Sequence, residues 1–412
     1  MQLADIDLSD MEGFWTRPMV ERHAAFATLR REDPIRFFPE ADVEFLPPGP
    51  GYHALTKHAD IVEASRHPEL FRSGGGVDIP DLPVEFNEVF GSMISLDDPR
   101  HARLRKLVAA GFTPRMLAKN VDDVQVAATE IVDRVIEMGE CDFVTEVAAW
   151  LPLKIICDMM AIPKSQYEYV FNQTNIILSQ GDPEFIPEGA NPLEAFLEAG
   201  AGLAMLMNEV AQSRRGGDGH DLTTALVNAE VDGEKLSAEE IQSFFVLLCA
   251  AGNETTRNSI SWGLTYLTDN PEQRALLAND YETHAPGAVE EIVRLASPVI
   301  HFRRTVTQDG VRLGEQEFSA GDKVVLFYGS GNRDEDVFDD VDSFDVQRDN
   351  SNQIGFGGPG PHFCLGAHLA RRQIMVMYRE LLSRLPDIHA TGEPDRLRSN
   401  FINGVKHLPC SW

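Results

Sequence analysis

One cysteine stands in the stretch GFGGPGPHFCLGAHLARRQ, residues 355–373, behind four glycines and two prolines and directly ahead of a helix-forming run. A helix starting just after Cys364 aims free backbone N–H groups and the positive end of its dipole at the sulfur, a setting that favours thiolate. Glycines permit unusual backbone angles and close approach to a flat partner, and prolines stiffen the loop. Three uses fit such a thiol: a nucleophile, a metal ligand or packing. A nucleophile needs a base, and His362 is the nearest candidate, but positions so close usually point apart and no local cysteine-hydrolase signature is present. Axial ligation of haem iron accounts for more: a lone cysteine, a rigid loop and N–H donors to temper the sulfur. From the loop alone, ligand ranks above packing and packing above nucleophile.

Other residues carry chemistry elsewhere. AGNETT, residues 251–256, sets the acid Glu254 beside the alcohol Thr255 in the middle of a helical pattern. A mid-helix threonine can turn its hydroxyl onto a carbonyl and, beside Gly252, open the ladder to leave room for O₂ and water. A solvent-facing polar patch is the competing reading. In EEIVR, Glu291 and Arg294 stand at i,i+3, which by itself is an ordinary surface ion pair. His101 and Arg105 fall on one helical face at i,i+4, and Arg303 and Arg304 adjoin each other in HFRRTV. Arginine suits bidentate contact with carboxylates, while Arg303 also reads as a solvated charge.

Together these segments resemble the cytochrome P-450 family, in the family's order and over most of the chain. The loop resembles F-G-x-G-x-[HR]-x-C-x-G. Cys364 falls on the iron ligand, Gly366 on the following glycine and His362 on the basic position that meets a haem propionate. Phe356 lies eight residues before Cys364, where seven is commonest. AGNETT resembles [AG]-G-x-[DE]-T-[TS], which implies that Thr255 steadies bound oxygen and Glu254 relays protons. Glu291 and Arg294 match E-x-x-R, a buried structural pair that Arg348 in FDVQR would complete. The resemblance assigns His101, Arg105 and Arg304 to the propionates. It implies haem b, O₂ as co-substrate, and electrons from NAD(P)H through a ferredoxin and its reductase. The pieces AGNETTRNSI, HFRRTVTQD and RLRSNFINGVKHLP resemble an actinobacterial branch that hydroxylates terminal methyl groups of methyl-branched lipids and sterol side chains. A terpenoid or polyketide substrate fits the same fold. So, from other classes, do a haem-based sensor, a peroxide-consuming enzyme or a haem-free binding scaffold; the Thr255 alcohol favours O₂ and a redox partner.

These groups need a scaffold. Ser237 and Glu240 form a capping box, and apolar residues continue to Asn270, where Pro271 stops them. The pattern predicts a helix of about 33 residues, roughly 50 Å at 1.5 Å per residue, crossing the whole molecule. A shorter helix is predicted from Pro286 to Pro298. Short strand patterns occupy residues 35–70 around a helical stretch, and 303–328, with turns at Asp309-Gly310 and Gly321-Asp322. After Cys364, residues Ala370, Ile374, Met377, Leu381 and Leu385 recur at helical spacing until Pro386. The fold class is mainly α with a minor β region, in a single domain of residues 1–412: no linker or repeat interrupts the chain.

Composition sets the limits. A formal net charge of −29 argues against nucleic acid. Against it, the segment from Arg100 to Arg115, with Arg371 and Arg372, is locally basic and suggests a docking face for an acidic ferredoxin. The N-terminal residues have no signal-peptide pattern and no apolar run is long enough to span a bilayer. Five widely spaced cysteines suggest reduced thiols in the cytoplasm, and the chain is expected to be a monomer. Cys141, Cys157 and Cys249 read as buried small hydrophobes, and Cys410 is unassigned. Residues facing the substrate would be Met93, Ile94, Leu247, Ala250, Ala251, Ile300, Phe302, Phe401 and Ile402, an apolar set with core packing as the alternative for each.

Overall fold

The computed structural model describes residues 1–43, 46–83, 86–87, 90, 92–111, 114–179, 181–230 and 233–412, and the side chains among these except 110–111 and 114–121. Helices that position the site are α1 (Met19–Glu32), α2 (Arg100–Gly111), α3 (Pro114–Val135), α4 (Trp150–Met159), α5 (Tyr167–Leu178), α6 (Pro192–Arg214), α7 (Ala238–Asp269), α8 (Tyr281–Ala296) and α9 (Ala367–Arg384).

The long helix is α7. At its start Ser237 Oγ accepts from the Glu240 N–H at 3.1 Å, and the Glu240 carboxylate accepts from the Ser237 N–H at 2.9 Å. Both bonds of the capping box satisfy donors the first turn would otherwise leave open. The helix then runs 32 residues to Asp269. It packs against α4, α5, α6, α8 and α9, so most of its circumference is buried. Three of its hydroxyls donate back four residues: Ser259 to the Thr255 carbonyl, Ser261 to Arg257 and Thr268 to Leu264.

Helix α8 begins at Tyr281, so the proline expected to open it lies inside it. Asp280 caps it by accepting from the Thr283 N–H, and Pro286 sits in its second turn. The next residue accounts for tolerance of glycine there: a Cβ on Gly287 would stand 2.4 Å from the Val346 carbonyl oxygen, so helix and neighbouring loop approach as only glycine allows.

Strands are β1 (Ile35–Phe38), β2 (Tyr52–Leu55), β3 (Phe71–Arg72), β4 (Glu140–Asp142), β5 (His301–Val306), β6 (Val311–Leu313), β7 (Gln316–Phe318), β8 (Lys323–Phe327), β9 (His389–Ala390), β10 (Asp395–Arg396), β11 (Val405–His407) and β12 (Pro409–Ser411). The main sheet has the order β1-β2-β8-β5-β3, with β2 and β8 parallel and the other pairs antiparallel. One face covers Phe14, Trp15, Phe26 and Phe327, the other Phe71, Phe318 and Tyr328. A three-stranded sheet, β4-β12-β9, and the pair β10-β11 gather the last part of the chain, and nothing in the sequence reading anticipated them. Among the described residues no helix is long and apolar enough to cross a membrane.

Candidate active site

The cysteine loop closes on itself before α9 begins. The Cys364 N–H donates to the Phe356 carbonyl oxygen at 3.0 Å. Gly357 and Gly360 take φ of +89° and +150°, and a Cβ on Gly360 would stand 2.2 Å from the Ser65 carbonyl oxygen. This glycine pair accommodates the extra residue, and Phe356 stays beside the loop with its ring 4.2 Å from the Arg371 guanidinium. Gly366, at the N-cap of α9, has an ordinary φ of −84° and no atom within 4 Å of a Cβ built on it. Neither backbone nor protein neighbour demands glycine there.

Cys364 presents accessible surface, yet protein surrounds the sulfur closely. Burial pushes the thiol pKa up, while the Gly366 and Ala367 N–H groups, Arg105 and Arg371 pull it down. Both facts describe a sulfur that reaches open space with protein crowded round it. The expected lowering of this pKa is therefore reversed: desolvation outweighs the helix end. Coordination to a metal, which displaces the thiol proton, is what would make it a thiolate.

Beside the thiol loop, basic groups crowd together. His101 is buried, its Nδ1 lies 3.5 Å from Asp98, and its Nε2 has no partner among the described residues. Its ring centroid is 4.3 Å from that of His362. Burial, Arg304, His101 and Arg105 push His362 down to about 2, so it is neutral and bonded to Ser73 Oγ at 3.0 Å. Arg304 is 4% exposed, donates to the Arg303 carbonyl oxygen at 2.8 Å, and among the described residues has no carboxylate within salt-bridge distance. Arg105 donates to the Phe363 carbonyl oxygen at 2.7 Å, tying α2 to the cysteine loop. Positive charge without a protein counter-ion, plus an orphaned imidazole nitrogen, is the donor set a pair of carboxylates would complete. The residues present fit haem.

Neighbours on β5 point to opposite sides, and Arg303 differs from Arg304 accordingly. It is fully buried and pairs with Asp81 at 2.6 Å, so it is a structural ion pair and not a solvated charge.

On α7, Leu247, Ala251 and Thr255 stand at i, i+4 and i+8, one stripe. Ala251 is exposed and Thr255 half-buried, and the Thr255 hydroxyl donates to the Ala251 carbonyl oxygen at 2.7 Å. The helix nonetheless stays continuous. Gly252 serves packing instead of opening a ladder: a Cβ there would meet Ile156 Cδ1 of α4 at 2.6 Å. Glu254, 1% exposed, lies off this stripe. One of its oxygens accepts from Arg257 and Asn258, and the other has no partner among the described residues. Arg257 reaches Asn175 on α5 at 2.8 Å. Sequence reasoning missed Arg257, Asn258 and Asn175, although the first two stand at i+3 and i+4 from Glu254.

The substrate-facing candidates divide. Met93 and Ile94, on a turn packed against α7, join Leu247 in the main helical cluster. Ala250 is buried and Ala251 open. Phe302 and Phe401 pack together, ring centroids 5.9 Å apart, and Ile402 bridges Val299. Ile300 is built into the cluster of Trp15 and Phe327 on one sheet face, away from Phe302 against Tyr328, so it reads as core.

Glu291 and Arg294, both fully buried, form two parallel bonds of 2.7 and 2.8 Å. Arg348 donates to the same carboxylate at 3.1 Å. Arg294 also donates to the Asn332 and Val341 carbonyls, so one guanidinium joins helix to loop.

The basic face is smaller than the sequence implied. Arg371 is paired with Glu290, and Arg103 with Glu234 and Glu240. Arg100 and Lys106 are exposed and Arg372 half-buried; Arg115 lies outside the described side chains.

Comparison with known proteins places this arrangement. Residues 201–402 match the family model Cytochrome P450. The methyl-branched lipid omega-hydroxylase of Mycobacterium tuberculosis is 48% identical over the whole chain and 95% of its own length. The steroid C26-monooxygenase of Rhodococcus jostii is 38% identical over 97% of this chain and 85% of its own. Mycobacterium marinum cytochrome P450 CYP268A2, solved in complex with pseudoionone, superposes with a TM-score of 0.94 at 43% identity, covering 99% of this chain and 98% of that one. Likeness on this scale, joined to the thiol loop and the acid–alcohol helix, makes the chain a monooxygenase of the cytochrome P450 family.

Proposed function

We propose that this monooxygenase hydroxylates the terminal methyl group of a methyl-branched lipid, with a sterol side chain as the related alternative. The observation that carries the reading is the stripe on α7: an apolar residue, a methyl-sized residue and a hydroxyl in line, with no charge among them. Such a surface suits the end of a hydrocarbon chain, and the name of the relative at 48% identity supports it.

In this reading Cys364 ligates the iron of haem b, and His101, Arg105, Arg304 and neutral His362 hold its propionates. When bound, haem supplies O₂ activation, favoured by electron donation from the thiolate. Thr255 offers a hydroxyl on the open stripe that can release its Ala251 bond to hold a water or a proton there. Glu254 feeds protons from behind it, and Arg257 and Asn258 hold one carboxylate oxygen while the other stays uncommitted. Gly366 keeps the space beside the sulfur open. Glu291, Arg294 and Arg348 fix the loops beneath. The electrons come from NAD(P)H through a ferredoxin reductase and a ferredoxin, the latter docking near Arg100, Lys106 and Arg372. The enzyme works as a cytoplasmic monomer.

Titrating the haem-loaded protein with a methyl-branched fatty acid, a sterol, pseudoionone and a macrolide, and following the Soret band, tests the substrate. The branched acid is expected to give the largest shift and, in turnover, an alcohol on its terminal carbon. Response to the macrolide alone would overturn the assignment.

A further inference from the structure

Strands β4 and β12 are antiparallel, with Cys141 directly opposite Cys410. Flanking bonds fix the register: the Phe143 N–H donates to the Leu408 carbonyl at 2.8 Å, and the Trp412 N–H to the Gly139 carbonyl at 3.1 Å. Those bonds recur every second residue, which puts Cys141 and Cys410 in a hydrogen-bonded pair. Opposed Cα atoms in such a pair are about 5.5 Å apart, within the span of a disulfide. The two sulfurs are 3.6 Å apart and both thiols are free.

Their settings differ. Cys141 is half-buried, whereas Cys410 is 1% exposed. Either thiol can donate the bond between them; with Cys410 donating, it steadies negative charge on the Cys141 sulfur and outweighs burial, Glu146 and Asp142, which oppose it. The Cys141 pKa is pulled down and that of Cys410 pushed up. Cys157 and Cys249 are buried with raised pKa values, and Cys364 belongs to the active site. Neither the monooxygenase reaction nor the fold argument uses the Cys141–Cys410 pair. The structure also corrects the view of Cys141 as a fully buried hydrophobe.

We propose that Cys141 and Cys410 form a peroxide-reactive dithiol, with Cys141 as the attacking and Cys410 as the resolving sulfur. The Cys141 thiolate attacks one oxygen of hydrogen peroxide; the O–O bond breaks, sulfenic acid forms and hydroxide leaves. The Cys410 sulfur then attacks the sulfenic sulfur; the S–S bond forms, the S–O bond breaks, and hydroxide leaves with the Cys410 proton as water. Each cysteine sulfur loses one electron, and peroxide takes up both. Hydrogen peroxide is the oxidant, a by-product whenever a monooxygenase reduces O₂ without oxidising substrate. The disulfide fastens β12 to β4 and closes a loop 269 residues long, so it removes freedom chiefly from the unfolded state.

The haem-loaded protein is treated with low hydrogen peroxide, quenched with N-ethylmaleimide and mapped by mass spectrometry without reduction. The expected product is a peptide pair joined through Cys141 and Cys410, 2 mass units below the sum of the free thiols and released by dithiothreitol. In Cys410→Ser, dimedone should trap sulfenic acid on Cys141; in Cys141→Ser, Cys410 should stay unlabelled. The oxidised wild type should melt higher than the reduced form, a readout independent of either variant's folding. N-ethylmaleimide on both residues after peroxide, oxidation of Cys141 to sulfinic acid with Cys410 free, or crosslinks only between chains would overturn the proposal.

Discussion

Thr255 and Glu254 adjoin in sequence, but the helix turns them to different surroundings. The hydroxyl lies on the open stripe, and the carboxylate is locked to Arg257 and Asn258. Thr255→Ala should therefore leave substrate binding intact and lower product formed per NAD(P)H, with more peroxide released. A loss of roughly 10²-fold in coupled turnover is the low end for a proton-handling group; the measurement is product against oxygen consumed. Cys364→Ala should abolish the red-shifted band of the reduced CO complex, read by difference spectroscopy. Both residues were legible because their local company is distinctive: glycines before the cysteine, acid before the alcohol. Arg257 was not, since an arginine after AGNETT reads as surface charge until α5 is seen to bury it. The burial around Cys364 was illegible for a related reason, because a helix end is visible in sequence and desolvation is not.

At the scale of elements, α8 depends on a buried charge network. Removing one partner of such a pair strands the other, and Glu291→Ala should cost about 3–5 kcal/mol. Denaturant unfolding measures it, and Arg294→Lys should lose much of the same stability because the fork cannot be reproduced. Ser237→Ala removes one bond of the capping box, with a cost of about 1 kcal/mol. The last strands bring a pH dependence. Burial disfavours charge on His407, but its bonds to Asp142 and Glu184 outweigh this and raise its pKa. Protonated His407 then favours the folded state. Its contribution is complete below the unfolded value, about 6.5, and is lost as pH rises through the higher folded value. Melting curves from pH 5 to 9 should show this decline in wild type and a flatter profile in His407→Gln.

For the molecule as a whole, charge decides what approaches. Against a net −29, Lys106 and Arg372 lend positive charge to the neighbourhood of the thiol loop. Reversing Lys106 and Arg372 to Glu should slow reduction by an acidic ferredoxin at low ionic strength, with the difference shrinking in salt. Stopped-flow reduction measures this, and rates equal to wild type would remove these residues from the docking face. The helical class and the long crossing helix could be read because 3.6-residue periodicity and a capping box are local signals. The C-terminal sheets could not, because strands of two or three residues carry no period and exist only through partners far away in the chain. One turn of α8 holds adjacent carboxylates with opposite duties: Glu290 grips Arg371 and Gln353 on the side of Phe356, and Glu291 grips Arg294 and Arg348. The loops on both sides of the sulfur are thus tied to a single helical turn, so a shift of that turn would reach both at once.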